Sequence, residues 1–582
     1  MTAYLGVETS LTGRRWIGPG IETGRQAEAM AQATDLPPAL CQVLARLGVP
    51  VEGAESYLAP TLRDLMPDPR SLRDMEATAA RFLAAVAGRE RIAVFADYDV
   101  DGGASAALLI DWLRRMGAER PTLYIPDRID EGYGPNEPAM RDLAAGHDLI
   151  ICVDCGTLSF DALAAAKGAD VVVLDHHLGG ETLPPALAVV NPNRQDESGD
   201  LGHLCAAAVV FLMLVEAGRQ LREAGRTGPD LMALLDLVAL ATVADVAPLT
   251  GVNRAFVRQG LTVMARRARA GLVALSDVAR LDRAPAAYHL GFVLGPRINA
   301  GGRIGQADLG ARLLATDDAG EARALAERLE VLNEERRVVE AEVRAAALAQ
   351  AEARGFDAPL VWAAGEGWHP GVVGIVASRL KEAANRPAVV IGLEGNEGKG
   401  SGRSVAGVDL GAAVQRLARE GVLLKGGGHK MAAGLTVARD RLDEAMARLG
   451  DLLARQGAGA GGSADLRLDG VLMPGAATPE LVERLEAAGP FGAGAQGPRF
   501  VIPDCRIGFA RAVGETHLKL RLDDGLGARL DAIAFGAFDS PLGPALLAHG
   551  GARFHLAGRL DINHWGGRRT VQLRIEDAAP AG

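Results

Sequence analysis

The sequence predicts an α/β protein. A parallel-sheet domain is joined by a long helix to a smaller α/β segment, and an all-β part closes the chain. Three observations carry this reading. From Arg91 onward, apolar strand-like runs alternate with Ala/Leu-rich helical segments, the pattern of a parallel sheet with crossover helices. Asp317 and Asp318 open an uninterrupted helical pattern that Gly355 stops. After a Gly/Ala-rich stretch come short alternating runs that read as a small antiparallel barrel or sandwich.

Taken in order, residues 1–75 read as a helical extension of short helices broken by Pro37, Pro38, Pro50 and Pro60. Residues 76–316 form the first α/β domain. Its strands are IAVFA, TLYIP, DLIICVD and DVVVLD; helices follow IAVFA and span Ser159 to Lys167, Ala206 to Ala247 and Asn253 to Arg280. The helix over 317–355 has no equally long apolar partner, which favours a connector between lobes over a coiled coil. Residues 356–456 form the second α/β segment, with apolar runs LVWAAG, AVVIGL and AAGLTV. GAGAGGSA, Gly457 to Ala464, reads as a linker. Residues 463–582 hold LRLDGVL, RFVIPDCRIGFA, HLKLRLDD, RLDAIAFG, RFHLAGRLDI and RTVQLRIED. No fixed-period repeat is visible.

Composition narrows the function classes. A length of 582 residues suggests several folding units, and 48% hydrophobic with 23% charged residues excludes disorder over most of the chain. The longest apolar run, Cys205 to Val215, is far short of the ~20 residues that span a bilayer. MTAYLGVETSLTGRRW lacks the pattern of a signal peptide, and five cysteines in so long a chain point to a reducing cytoplasm. A net charge of −11 argues against wholesale coating of nucleic acid but leaves room for a local basic groove. Of the 62 basic residues 56 are Arg; a GC-rich genome accounts for that, although Arg also suits bidentate phosphate contacts.

The strand ends carry the chemistry. IAVFA runs into Asp97, Asp99 and Asp101 within DYDVDGG; DLIICV runs into Asp154; DVVVL runs into Asp175, His176 and His177. Ligands bind at the carboxyl ends of strands in open parallel sheets. Asp245, which ends LLDLVALATVA, is a fourth contributor. Carboxylates crowded together raise one another's pKa unless a cation neutralises them. Oxygen-rich ligands with one or two His suit Mg²⁺ or Mn²⁺, and two such ions can share a bridging carboxylate, whereas Zn²⁺ favours more Cys and His. Any one of these aspartates alone reads equally well as a turn former or helix cap. The whole set, with adjacent His176 and His177, does not.

DYDVDG, VDCG, LDHH and ATVADVAPL, in this order, resemble the four motifs of the DHH phosphoesterase superfamily. NAGGRIGQAD (Asn299 to Asp308), GWHPGVVGIVASRL (Gly367 to Leu380), SGRS (Ser401 to Ser404) and GGGHKMAAG (Gly426 to Gly434) are similar to the RecJ branch with its DHHA1 domain. PFGAGAQGPRF, Pro490 to Phe500, resembles the entry to that branch's OB domain. The resemblance covers about Arg91 to the C-terminus. It implies a DHH catalytic domain over 76–316, a DHHA1 domain over 356–456 and an OB-like single-strand-binding domain over 463–582. The implied activity is 5′→3′ degradation of single-stranded DNA with two Mn²⁺ or Mg²⁺ ions, in DNA repair and recombination. The implied partners are single-stranded DNA, a single-stranded-DNA-binding protein and a helicase, with no membrane, for a monomer in the cytoplasm.

The resemblance also implies roles for residues. Asp97, Asp99, Asp154, His176 and Asp245 would hold the two ions, with Asp154 as the bridge. Asp175 and His177 would orient ligands or meet a phosphate oxygen. Arg128 and Tyr133, in DRIDEGYG, would form a substrate loop, with Tyr133 able to stack on a base. Arg303, Ser401, Arg403 and His429 would anchor backbone phosphates, including the 5′ end. One departure stands out. Many members have a His two residues before the first motif Asp, and this chain has Phe95, so water would fill one position on the first ion.

Other motifs read more plainly. Cys152-Val-Asp-Cys155 lies on a strand and reads as core packing, not as a redox pair or a zinc half-site. No G-x-x-x-x-G-K-[ST] occurs, which disfavours an NTP-driven motor. GKGSGRS and KGGGHK read singly as ordinary turns, and together as phosphate-binding donors. His369 of GWHPG reads equally as structural or functional. Two rival classes are weighed: a DHH hydrolase of short oligonucleotides or cyclic dinucleotides, and a non-catalytic single-strand-binding relative. The C-terminal β part argues against the first, and the intact Asp/His set against the second.

Overall fold

A computed structural model describes residues 3–128, 130–459, 465–565 and 568–581, so residues 460–464 of the expected linker lie outside the described residues. The chain divides into two compact units, one of 66–248 and 256–460, the other of 1–65, 249–255 and 461–582. No helix among the described residues is long and apolar enough to cross a membrane.

The larger unit begins with a five-stranded, all-parallel sheet: β1 (Ile92–Ala96), β2 (Thr122–Tyr124), β3 (Leu149–Val153), β4 (Asp170–Leu174) and β5 (Ala188–Val190), in the order β2-β1-β3-β4-β5. β1 and β3 are buried throughout, as parallel strands covered by helices must be, which is why they read as continuous apolar runs. Three-residue β5 is too short for such a run to stand out. Ala96 pairs with Val153 and Val153 with Leu174, so the next residues, Asp97, Asp154 and Asp175, leave the sheet side by side.

The helices of this unit that frame the site are α1 (Val100–Arg115), α2 (Ala206–Glu223), α3 (Leu235–Ala244), α4 (Gly295–Ile304), the long α5 (Ala319–Arg354), α6 (Pro370–Ala384) and α7 (Leu410–Arg419). Buried Asp111 anchors α1: it accepts hydrogen bonds from Arg114, Arg115 and Arg269, and Arg269 also pairs with Asp236. Burial pushes the Asp111 carboxyl up, but the Arg115 hydrogen bond and the charges of Arg269 and Arg114 outweigh it and hold it at about 2, against an ordinary 3.8. A depressed carboxylate stabilises the fold above its unfolded pKa, and that contribution disappears as pH falls from about 4 through 2. Urea unfolding at pH 5 and pH 3 should therefore show about 1 kcal/mol more acid loss in the wild type than in Asp111→Asn. Equal losses would refute the network's role.

Asp318 caps α5 by accepting a hydrogen bond from the Glu321 N–H, and Gly355, at φ +85°, ends it. The second half of α5 shares a core with the next sheet through Val343, Ala347 and Ala351. That sheet holds β6 (Val361–Glu366), β7 (Ala388–Glu394), β8 (Glu397–Arg403), β9 (Lys425–His429) and β10 (Ala432–Ala438), in the order β9-β10-β8-β7-β6. Only the β6–β7 pair is parallel.

The structure corrects the reading of GKGSGRS and KGGGHK as turns, since both are largely strand. In GKGSGRS the alternation is present but glycine takes the apolar positions, and in KGGGHK three successive glycines leave no alternation at all. A Cβ at Gly398, Gly400 or Gly402 would come within 2.7–2.8 Å of Ile391 or Leu410, so the core leaves no room for one. Lys399, Ser401 and Arg403 occupy the opposite face of β8.

In the smaller unit, β11 (Phe500–Val513), β12 (His517–Asp523), β13 (Arg529–Ala534), β14 (Arg553–Trp565) and β15 (Arg568–Pro580) close into a five-stranded barrel, because β11 also pairs with β14. It is a barrel and not a sandwich, and the β13–β15 pair is parallel. Residues 1–65, the larger part of the helical extension expected over 1–75, share its core: Met30, Leu40 and Leu44 are fully buried in one cluster with Phe500, Leu518 and Leu556. Trp16–Ile17 pairs with Leu466–Arg467, and buried Trp16 donates from Nε1 to Asp577 Oδ2 at 2.9 Å.

Candidate active site

The carboxyl edge of the parallel sheet gathers the acidic set. Asp154 sits at φ +60°, a left-handed conformation that few non-glycine residues adopt and that Asp tolerates better than most. Such strain concentrates at functional sites. Asp99 starts α1 by accepting hydrogen bonds from the N–H groups of Asp101 (2.9 Å) and Gly102 (3.1 Å). A Cβ at Gly102 would meet the Asp97 carbonyl at 2.4 Å, which is why glycine follows the third aspartate. Asp245 comes from the C-terminal end of α3, not from a strand.

Two sets of ligand atoms adjoin. Asp97, Asp99 and Asp154 offer oxygens within 4.8 Å of one another, as do atoms of Asp101, His176 and Asp245, and a third grouping of Asp154, His176 and His177 overlaps both. His176 Nε2 lies 3.3 Å from Asp154 Oδ1, and its Nδ1 lies 3.9 Å from Asp245 Oδ2. Burial and then the charge of Asp99 push Asp97 up to about 8; burial and then Asp101 and Asp99 push Asp245 up to about 8. Asp154 is raised for the same reasons, burial first and then Asp101. Among the described residues, none donates a hydrogen bond to buried Asp154 Oδ1. A buried acceptor without a donor, among carboxylates that repel one another, fits a divalent cation, and the oxygen-rich donor set fits Mn²⁺ or Mg²⁺.

The residues beside these sets fix them in place. Asp175 Oδ1 accepts from the backbone N–H of His176 (2.8 Å) and from His177 Nδ1 (2.8 Å), and Oδ2 accepts from the Thr157 N–H (3.1 Å). Burial raises Asp175, but these bonds, His177 foremost, outweigh it and hold it far below the carboxylate range. Burial lowers His177, and the hydrogen bond to Asp175 more than reverses that, to about 9. Asp101, left without a role in the sequence reading, accepts from the N–H groups of Ala206 (2.7 Å) and Ala207 (2.8 Å), tying the first motif to the start of α2. Asn191 and Asn193 went unnoticed. They follow β5 and donate to the carbonyls of His177 (2.8 Å) and His176 (2.6 Å), holding the two histidines from behind. An asparagine after a strand-like run was the available signal, hidden because β5 was missed.

Phe95 is fully buried and stacks on Tyr124, with ring centroids 5.3 Å apart, so it contributes packing and no donor. Cys152 and Cys155 are buried free thiols of the core, as expected.

Across the edge, a cavity of about 730 Å³ is lined by Arg128, Tyr133, Arg303 and Ser401, with Lys399 and Lys425 beside them. Arg303 donates to the Gly371 carbonyl at 2.9 Å, and Arg128 donates to the Tyr98 hydroxyl. Tyr133 donates to the Asp154 carbonyl at 3.1 Å while its ring stays exposed. Arg403 is half-buried; burial, then the charges of Arg303 and Arg128, lower its pKa. Among the described residues no carboxylate pairs with Arg128, Arg303 or Arg403. A Cβ at Gly374 would lie 3.2 Å from Arg403 and 3.4 Å from Ser401 Oγ, so glycine lets α6 approach both. His429 is exposed at the end of β9 and does not line the cavity. His369 caps α6, accepting the Gly371 N–H at 3.0 Å through Nδ1, the structural alternative of the two weighed for it.

A parallel sheet edged by this Asp/His set, followed by a mixed sheet and a closed barrel, defines a DHH-type phosphoesterase architecture. Family models agree in order: the DHH family N-terminal domain matches residues 91–242, the DHHA1 domain 357–455 and the RecJ OB domain 468–577. The single-stranded-DNA-specific exonuclease RecJ of Dickeya dadantii is 39% identical, covering 94% of this chain and 97% of its own. That of Escherichia coli is 36% identical, covering 94% and 96%. The crystal structure of RecJ from Thermus thermophilus in complex with Mn²⁺ superposes with a TM-score of 0.79 at 30% identity, covering 97% of this chain and 79% of that one. The chain belongs to the RecJ family.

Proposed function

We propose that the chain is a single-stranded-DNA-specific exonuclease that removes nucleotides from the 5′ end by hydrolysis with two Mn²⁺ or Mg²⁺ ions. The observation that carries this is the pair of ligand sets that share Asp154, Asp97/Asp99/Asp154 and Asp154/His176/His177, beside a cavity lined by two guanidiniums, Arg128 and Arg303, that no carboxylate pairs with among the described residues. Asp97, Asp99 and Asp154 would hold one ion, and Asp154, His176 and Asp245 the other. When bound, the ions supply Lewis acidity that acidifies water and offsets charge on the phosphoryl oxygens.

The chain's own groups position the substrate. Arg403, Arg303 and Ser401 hold the 5′-terminal phosphate, and Arg128 the next one. Asp175 fixes His177 through Nδ1, leaving its Nε2 beside the Tyr133 hydroxyl at the cavity wall. The exposed Tyr133 ring gives a base a stacking face. Hydrolysis forms a bond from water oxygen to phosphorus and breaks the bond to O3′, which takes a proton. The released unit is a nucleoside 5′-monophosphate. The shortened strand carries a new 5′-phosphate for the same anchor. The barrel adds grip on unpaired strand. The setting we propose is DNA repair and recombination in the cytoplasm, as a monomer working with a single-stranded-DNA-binding protein and a helicase.

The test is polarity and strandedness with Mn²⁺ supplied, on strands labelled at either end and bearing 5′-phosphate or 5′-hydroxyl. Release of the 5′ label first, from single strands only, is expected. Arg403→Ala should cut kcat/KM on 5′-phosphorylated strands roughly 10- to 100-fold, the worth of a charge-assisted contact, and much less on 5′-hydroxyl strands. Degradation from the 3′ end would overturn the polarity, and equal losses on both ends would overturn the anchor.

A further inference from the structure

A second cavity, of about 630 Å³, lies among α4, α5 and α6 and shares Arg303 with the first. Six arginines and one carboxylate, Glu340, line it. Arg336 is 8% exposed, donates to Glu340 (2.7 Å) and Asn333 (3.0 Å), and leaves its buried Nε without a hydrogen-bond partner among the described residues. Arg337 and Arg344, seven residues apart on α5, are exposed and make no ion pair among the described residues. Phe292, on the π-helical turn Leu290–Leu294, is 71% exposed at the lining and stacks on Tyr288 at 5.1 Å. A π-turn is a costly insertion that recurs at functional sites.

Unpaired guanidiniums beside a bare aromatic face match a phosphate joined to a base. A phosphate monoester carries close to two charges at neutral pH, against one for a diester, which favours a terminal phosphate here over strand backbone. We propose that this cavity receives the released nucleoside 5′-monophosphate, with its phosphate on Arg337 and Arg344 and its base on Phe292. The inference rests on the exonuclease reading, which supplies that product next to Arg303.

Equilibrium dialysis of dAMP against the metal-free full-length chain tests it, in an Arg403→Ala background that weakens the cleft's own anchor. Arg337→Ala/Arg344→Ala should weaken dAMP binding at least tenfold, while Arg337→Lys/Arg344→Lys retains most of it, which separates lost charge from lost fold. Phe292→Ala should weaken dAMP at least fivefold and leave deoxyribose 5-phosphate unchanged. Inhibition of strand degradation by added dAMP should weaken in parallel in Arg337→Ala/Arg344→Ala. Unchanged dAMP binding in the double alanine variant would overturn the site, and inorganic phosphate binding as tightly as dAMP would overturn its nucleotide character. A chain that binds dAMP through these arginines yet degrades no DNA would sink the exonuclease reading and leave the site standing.

Discussion

Asp154→Asn is expected to lower turnover about a thousandfold or more at saturating Mn²⁺, with the fold intact. Asparagine tolerates the left-handed backbone at this position nearly as well as aspartate does, so the substitution removes charge without disturbing the turn. What disappears is the anionic oxygen common to two of the three ligand sets. Metal assistance is worth several kcal/mol of transition-state stabilisation, and every 1.36 kcal/mol is a factor of ten. Without metal the variant should unfold no earlier than the wild type, because the lost carboxylate is crowded by others and one of its oxygens accepts no hydrogen bond from the described residues. Retention of more than a tenth of wild-type turnover would show that Asp154 is not shared between ions.

Ending the chain after Gly457 is expected to yield insoluble protein even though every proposed metal ligand lies before that point. The barrel strands would be gone, but residues 1–65 would remain. Met30, Leu40, Val43 and Leu44 are all fully buried against the barrel core. Each is worth about 1.5–3 kcal/mol of burial, so the four together rival the whole stability of an ordinary domain. The orphaned helices would expose a contiguous apolar face, which drives association. Removing residues 1–65 as well takes that face away; this shorter variant should stay in solution and show a raised KM on long strands with kcat little changed. Sedimentation of both variants decides the matter. A soluble chain ending at Gly457, with wild-type melting of its helices, would show that the N-terminal segment stands alone.

The difference between what was legible in the sequence and what was not follows from how information lies along the chain. Asp97, Asp154 and Asp175 were readable because buried parallel strands are spelled as apolar runs, and the residue after each run marks the sheet's carboxyl edge. The caps of α5, Asp318 and Gly355, are local and were readable for that reason. β8 and β9 were not, because glycine replaces the apolar member of the alternation in β8 and fills three successive positions of β9, and both look like turns. Asn191 and Asn193 were missed along with three-residue β5. The partners of Met30 and Leu44 lie hundreds of residues away, and pairing at that separation leaves no local trace. The cavity lined by Arg128, Arg303 and Ser401 draws on three distant segments, so only the family resemblance, and no spacing rule, brought them together.

The junction of the first and last segments also bears on how the chain is made. Arg15 pairs with Asp465, 450 residues further on. At translation rates of about 5–20 residues per second, the N-terminal helices wait roughly 20 to 90 s before their partners leave the ribosome. Throughout that interval Met30, Leu40 and Leu44 have one another but not the barrel to pack against, while the parallel sheet and the mixed sheet can already assemble. The helices of residues 1–65 therefore complete their packing only once the barrel strands have been made, and a holdase that shields them would have its longest task in that interval.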